Sequence, residues 1–553
     1  MKRKAIGIQV KKLSQLGGCI EGGRFAVPRL QREFVWDGPK AAKLFDSMLR
    51  GMPIGVVTVW ETPKSQRLYL RQRYNILPQY NPRNRKVWFL IDGQQRVSVV
   101  HHVAQGGFLK NGNGREVHFG RVVLSLEDEK DGQQIRYRLP ARGRYEPLCN
   151  LLHPLWRTRL GHLGKRHRGR ARKCREQLRR YPVHLMFIRG QIEMIREAFV
   201  RINTQGMKIT TADAIITSAQ DLDLRDIRHE VEQGVPTDFG RIPEMPILFA
   251  MAAVRGATDS RGKALRKVIS RLEEQARGNR SERKRLAEEW NRLVRCFGKA
   301  VDYLRAHFKV LNRDYLYSDY IVAMLAMFFF WNGKGPGAKQ SDTIRKWFWS
   351  TTVGSRYSGS SFNRALPDDL KFLRRLAKNP GARFTYKPEV EQADVRRSQF
   401  ASKTGIASAF YCMLLRRGPV LLNVDGKSPI PLEHYTASSN RKDRHHIFPR
   451  AVMAGLHLRA KEYNSICNIC LLTAEENRKF GVRRPRKYFS ELRAETTYFK
   501  GKLDRHLIPH RPGAGIWEKD TKRGFKRFMA ERTECVCREL EREAGIRLFR
   551  RER

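Results

Sequence analysis

Acidic residues are scarce in this chain. It sets 55 Asp and Glu against 109 Lys and Arg, a formal charge of +54, and such a chain repels itself unless it lies against a polyanion. Nucleic acid is the first partner this implies, ahead of a membrane surface, because the cations are spread along the whole chain rather than gathered on one amphipathic helix. Long apolar runs are also missing. The longest, YIVAMLAMFFFW from Tyr320 to Trp331, is too short to cross a bilayer, and the basic N-terminus MKRKAIGIQVKKLSQ has no apolar stretch of a secretory signal. A cytoplasmic protein without membrane contact is expected. Cysteine is sparse and scattered, with nine in 553 residues, which excludes a disulfide framework. No period of 20 to 50 residues recurs, which argues against a solenoid.

What is present suffices for several cores. At 553 residues and 41% apolar composition, two to four domains are expected, and the fold class is multidomain α+β. Residues 1–230 mix strand-like runs (55–60, 87–91, 122–126) with helical stretches, as in a small α/β domain. Residues 231–400 carry helical periodicity, and residues 401–553 hold the densest His, Asn and Asp signal. Within the first block, the run from Arg157 to Arg180 has eleven Lys and Arg and one acid, Glu176. A solvated helix has the same composition; with the charge of the whole chain, a phosphate-contacting surface is the better expectation, adding affinity without sequence specificity.

Near the C-terminus, DRHHIFPRAVM begins at Asp443 and NSICNICLLTAEENRKFG at Asn464. Composition predicts strand, strand, then a helix entered through Thr-Ala-Glu-Glu. Paired imidazoles and carboxamides suit metal-assisted phosphodiester hydrolysis, which needs a base for water and a cation at the phosphate. Neighbours on a regular strand face opposite sides, so His445 and His446 enter one site only if the chain turns there, as nearby Pro449 suggests. Cys467-Asn-Ile-Cys470 has zinc spacing but no second pair at a suitable distance; buried cysteines and no structural zinc are expected.

The tetrapeptide DGQQ occurs twice, at Asp92 and at Asp131. The first lies between a strand-like run and an apolar helix face, so Asp92-Gly93-Gln94-Gln95-Arg96 forms a strand-to-helix turn. There main-chain N–H groups, a glycine and a forked cation can meet phosphate. A plain helix start capped by Asp92 has the same pattern. The second copy sits between alternating segments and reads as a hairpin turn with Asp131 and Gly132 at its tip. In FVRINTQGMKITTADAI, from Phe199, a helix stops near Gln205-Gly206, and Thr210 to Asp213 resembles a capping box.

HHIFPR, NSICNICLL and the later Asn resemble the HNH nucleases of the ββα-metal class, in the form found in the C-terminal domain of GmrSD-type restriction enzymes. QREFVW, DGQQR and FVRIN-x-x-G resemble the N-terminal domain of the same family, whose core is related to the ParB/sulfiredoxin fold. The resemblance implies His446 as general base, His445 and Asn477 as ligands of Mg²⁺ or Mn²⁺, Asp443 as a further ligand, and Asn468 as the residue holding the active-site loop. Asn stands here where His commonly ends the motif, and His where Asp or Glu commonly begins it; the imidazole would also admit a softer ion. In the N-terminal domain the resemblance implies NTP binding and hydrolysis, with Asp92, Gly93, Gln95 and Arg96 at the nucleotide and Gln31, Arg32, Arg201 and Asn203 nearby. It leaves open the choice among GTP, UTP and ATP. The implied activity is modification-dependent DNA cleavage in defence against phage, gated by nucleotide, with a homodimer as one arrangement. A nicking enzyme that senses phosphorothioate DNA, or a ParB-like DNA-binding switch with an inactive nuclease, has the same outline.

Overall fold

The computed structural model describes residues 6–28, 31, 33–63, 76–111, 116–127, 132–140, 144–206, 230–257, 262–277, 280–423, 428–431 and 444–550. The chain divides into two compact units, Met1–Asp226 and Ile227–Arg553. The helical stretch and the C-terminal stretch thus share the second unit.

The first unit is built on a five-stranded mixed sheet. From edge to edge its strands are Ile6–Lys12, Pro182–Ile188, Val57–Pro63, Lys86–Asp92 and Phe25–Ala26. Strand Lys86–Asp92 shows why the sheet forms. Trp88 and Leu90 enter one core with Val57, Val59, Val183, Leu185 and Phe187. Val87, Phe89 and Ile91 enter the other, with Trp60, Ile188, Ile195 and Phe199. A strand buried on both faces reads as an unbroken apolar run, which is how Val87 to Ile91 stands in the sequence. Helices Leu13–Glu21, Gly38–Leu49, Gln94–Gln105 and Lys165–Arg180 supply the first core, and Ile192–Gly206 the second.

The second DGQQ lies in the hairpin expected of it: Val122–Ser125 pairs antiparallel with Ile135–Tyr137, though Asp131 falls outside the described residues. Asp46 fixes the hairpin by accepting from the N–H groups of Gln134 and Ile135, at 2.8 and 3.0 Å. The basic run forms helix Lys165–Arg180, which buries Ala171, Cys174, Arg175 and Leu178. Lys165, Arg166, Arg168, Arg172, Lys173 and Arg180 stay exposed, so a narrow apolar stripe seats the helix and leaves a broad cationic face.

In the second unit, helix Tyr320–Asn332 is buried continuously from Ile321 to Phe329 and packs against Glu244–Val254, Arg280–Phe308 and Phe362–Lys378. The run too short to span a bilayer is therefore a core helix, apolar all round because its neighbours surround it. Among the described residues, no helix is long and apolar enough to cross a membrane. Asp369 is buried beside it. Its carboxylate takes Arg356 at 2.8 Å and the Tyr357 hydroxyl at 2.7 Å; losing Arg356 would leave an unpaired charge in the core.

His102, on helix Gln94–Gln105, stacks on Phe119 with centroids 5.2 Å apart. Burial, helped by the neighbouring His101, lowers its pKa to about 4. Between that value and the ordinary 6.5 the unfolded chain binds the proton and the folded chain does not, so stability is full above pH 6.5 and falls as pH drops toward 4. The shift corresponds to about 3 kcal/mol. Urea unfolding across pH 4 to 7 should show His102→Phe, which keeps the stacking, losing less stability at the acid end than wild type; parallel curves would refute this.

Candidate functional site

The C-terminal motif folds as strand, strand, helix. Strand Arg444–His446 pairs antiparallel with Ile469–Leu471, His445 opposite Cys470 and His446 opposite Ile469, and helix Ala474–Phe480 follows. The register runs unbroken through both histidines. The turn expected between them is absent; the chain turns one residue later, and the imidazoles therefore leave opposite faces of the strand.

His445 is buried and faces the helix. Its Nδ1 lies 2.7 Å from Asn477 Oδ1, and its ring packs on Phe480, centroids 5.7 Å apart. A carboxamide oxygen only accepts, so Nδ1 carries the proton and Nε2 presents a bare lone pair. That Nε2 is buried with no hydrogen-bond partner. Burial lowers the pKa to about 4 against the opposing bond to Asn477, which keeps the ring neutral at pH 7. His446, on the other face, packs edge-on against Phe400 and donates from Nε2 to Asn464 Oδ1 at 3.0 Å. Its lone pair is then on Nδ1, and burial again lowers its pKa.

Asn468 holds the loop after the histidines. Its Oδ1 accepts from Phe448 N–H at 2.8 Å, and its Nδ2 donates to the carbonyls of Phe448 and Tyr463, at 3.0 and 2.9 Å. Ile447 N–H donates to Asn468 O, and Ile447 O accepts from the Tyr488 hydroxyl at 2.7 Å. All four main-chain polar groups of Ile447 and Phe448 are thus satisfied inside the core, as a buried irregular segment requires. Asn477 is aimed by the preceding turn: Thr473 caps the helix, Glu476 returns to Thr473 N–H, and the Glu476 carboxylate accepts from Leu422 N–H at 2.5 Å. The motif reading did not assign Asn464, Tyr488 or Glu476. Only Glu476 had a sequence signal, the Thr-x-x-Glu capping box.

His445 offers a divalent ion a buried bare lone pair at Nε2, on the side of the ring away from Asn477 Oδ1, which accepts at Nδ1. His445 and Asn477 occupy each other at Nδ1, so sharing one ion requires their hydrogen bond to open. Among the described residues no three His, Cys, Asp or Glu cluster as ligands, and Asp443 lies outside them. Cys467 and Cys470 are both buried, Cys467 on the turn Ile466–Asn468 and Cys470 on the strand.

In the first unit, the first DGQQ is a strand-to-helix turn, and Gly93, not Asp92, caps helix Gln94–Gln105, in a left-handed conformation with φ 87°. Gln95 reaches back to the QREFVW segment: Oε1 accepts from the N–H groups of Val35 and Trp36 at 2.9 and 3.2 Å, and Nε2 donates to Glu33 O at 3.0 Å. Gln31 closes the exchange by donating to Leu90 O and Ile91 O, both at 2.8 Å. Two motifs sixty residues apart are thereby locked together. Arg96 donates to Ile54 O at 2.7 Å, Val56 O at 3.1 Å and Asp92 at 2.9 Å. A Cβ at Gly55 would lie 2.6 Å from its guanidinium, so that glycine makes room for it. Arg201 is on the exposed side of helix Ile192–Gly206, paired with Glu197 at 2.5 Å. Arg32, the Asn203 side chain and Thr210 to Asp213 lie outside the described residues.

Residues 13–219 match the family model described as GmrSD restriction endonuclease, N-terminal domain, which supports the GmrSD family. The chain is also similar to the uncharacterized protein MJ0686 of Methanocaldococcus jannaschii, 21% identical over 524 residues, 85% of this chain and 84% of that one. That likeness is longer than either unit and so runs through both.

Asn468→Asp keeps the acceptor for Phe448 N–H but turns an anion toward two buried carbonyls. The expected loss is about 3 kcal/mol of unfolding free energy in the second unit, read from urea denaturation of the full chain; a loss under ~1 kcal/mol would show that the carboxamide does not hold this loop.

Proposed function

We propose that the chain is a modification-dependent DNA endonuclease of phage defence, with cleavage in the second unit controlled by nucleotide bound in the first. The observation that carries this is the gathering, around one strand-strand-helix unit, of two neutral imidazoles with bare lone pairs and three carboxamides, Asn464, Asn468 and Asn477, that fix their surroundings. The charge of +54 and the restriction-type family match over residues 13–219 support DNA as the partner.

In this mechanism His446, neutral at pH 7, takes a proton at Nδ1 from a water as the water oxygen attacks phosphorus. The new P–O bond forms in line with the departing 3′ oxygen, which leaves with the electrons of the broken bond and takes a proton from solvent. The products are a 5′ phosphate and a 3′ hydroxyl. Asn464 keeps the His446 tautomer by accepting from Nε2, and Asn468 holds the loop that follows. His445 and Asn477 lie on the opposite face of the strand from His446, so they would hold Mg²⁺ or Mn²⁺ at the same phosphate only if their hydrogen bond opens and the strand twists after His445; the ion would then supply charge stabilisation to the phosphate and the leaving oxygen. In the first unit the turn at Gly93 would receive the NTP, with Gln31, Gln95 and Arg96 shaping it by the bonds they already make. Asp92, beside Arg96, remains about 39% exposed in its side chain.

Plasmid nicking in Mg²⁺ tests the hydrolytic role. Wild type should convert supercoiled modified DNA and His446→Ala should not, a loss of at least about 100-fold, with DNA binding retained. Equal conversion by both proteins would exclude His446 as the base.

A further inference from the structure

A cleft of about 320 Å³ opens in the second unit beside the clamped loop. Its floor is apolar, formed by Phe448, Pro485 and Ile516, all buried. Around it stand Arg484, Arg486, Lys487 and Lys519, exposed and without an ion-pair partner among the described residues. Glu518 is the one acid in the lining, and it lies 3.9 Å from Arg523. Helices Pro485–Glu495 and Thr521–Ala544 both begin here, adding a favourable field for an anion, although the cations and the floor make the site.

Four cations without an ion-pair partner among the described residues match the phosphate of one nucleotide, while the floor, 1% exposed at Phe448 and Ile516, is too buried to receive a base. Position says which nucleotide. Phe448 follows His446 by two residues, so their backbones are at most about 7 Å apart, and Asn468 fixes Phe448 through both its N–H and its C=O. We propose that this cleft binds the phosphate of one nucleotide of a DNA strand next to the phosphodiester to be cut, on Arg486, Lys487 and Lys519. The site rests on the nuclease role proposed above. It would set the strand's register relative to His446 without reading sequence, since phosphate contacts carry none.

Binding without cleavage tests it. Full-length protein in EDTA is titrated into a fluorescent DNA duplex over a range of salt, comparing wild type, the triple variant Arg486→Gln, Lys487→Gln, Lys519→Gln, and a control of equal charge, Lys334→Gln, Lys339→Gln, Lys371→Gln. All six positions are exposed, so folding should be unaffected, which thermal unfolding verifies. The cleft variant should bind at least tenfold more weakly than the control, with a salt slope smaller by about 1, and inorganic phosphate alone should not reproduce the difference between them. Equal weakening of the two triples, or a cleft effect confined to inorganic phosphate, would overturn the proposal. The His446→Ala nicking result is read separately: loss of the cleft effect with cleavage intact removes only this site, and absent cleavage with the cleft effect intact removes the nuclease role and the placement beside a cut phosphodiester, leaving a DNA-phosphate site.

Discussion

A buried primary carboxamide can satisfy a main-chain donor and a main-chain acceptor at once, in one plane and without charge, and both units depend on this. Asn468 does so for Phe448 and Tyr463, and Gln95 for Glu33, Val35 and Trp36. Apart from Tyr463, which ends the short helix Ala460–Tyr463, the residues they hold have no helix or sheet of their own to satisfy them. Left alone, each unmet group would cost about 1–3 kcal/mol. A carboxylate could only accept and an apolar residue could do neither, so Asn and Gln stand where the chain must be irregular and dry. The loop beside the histidines and the turn before helix Gln94–Gln105 follow from that constraint.

Burial sets the chemistry on top of this scaffold. Removing the imidazoles from water disfavours their charged forms, and the acceptors Asn477 and Asn464 determine which nitrogen keeps its proton. His445 is left with a lone pair at Nε2 and His446 with one at Nδ1, on opposite faces of a single strand. The two imidazoles are separated by the strand's own alternation. The same economy governs Arg96, whose guanidinium is spent on Ile54, Val56 and Asp92: a forked cation beside a glycine in sequence is here a bracket for a turn.

Periodicity and turn chemistry made much of the fold legible. The run 87–91 reads as a doubly covered strand and lies in Lys86–Asp92; the decoy DGQQ reads as a hairpin and flanks one; the apolar run at Tyr320 reads as too short for a membrane and forms a core helix. Two local readings, the alternative of an Asp92 cap and the turn that would bring both histidines into one site, fail for physical reasons. Asp92 is not the cap, because the chain needs positive φ at the next residue and Gly93 supplies it. The histidine strand does not turn between His445 and His446, because Ile447 N–H still pairs with Asn468 O and continues the ladder. Asn464, Tyr488 and the cleft around Phe448 were invisible beforehand, since each depends on contacts between segments far apart in sequence that no spacing rule encodes.

Charge connects these elements to a task. The cationic face of helix Lys165–Arg180 and the cleft at Phe448 are both places where phosphate is welcome and acid is scarce. The most direct measurement is cleavage by the full chain of matched unmodified, methylated, glucosylated and phosphorothioated DNA in Mg²⁺, with and without each NTP, followed by analysis of the product ends. Cutting of a modified substrate that depends on nucleotide and leaves 5′ phosphate and 3′ hydroxyl ends is the predicted result; no cutting of any substrate, or ends of the opposite kind, would contradict it.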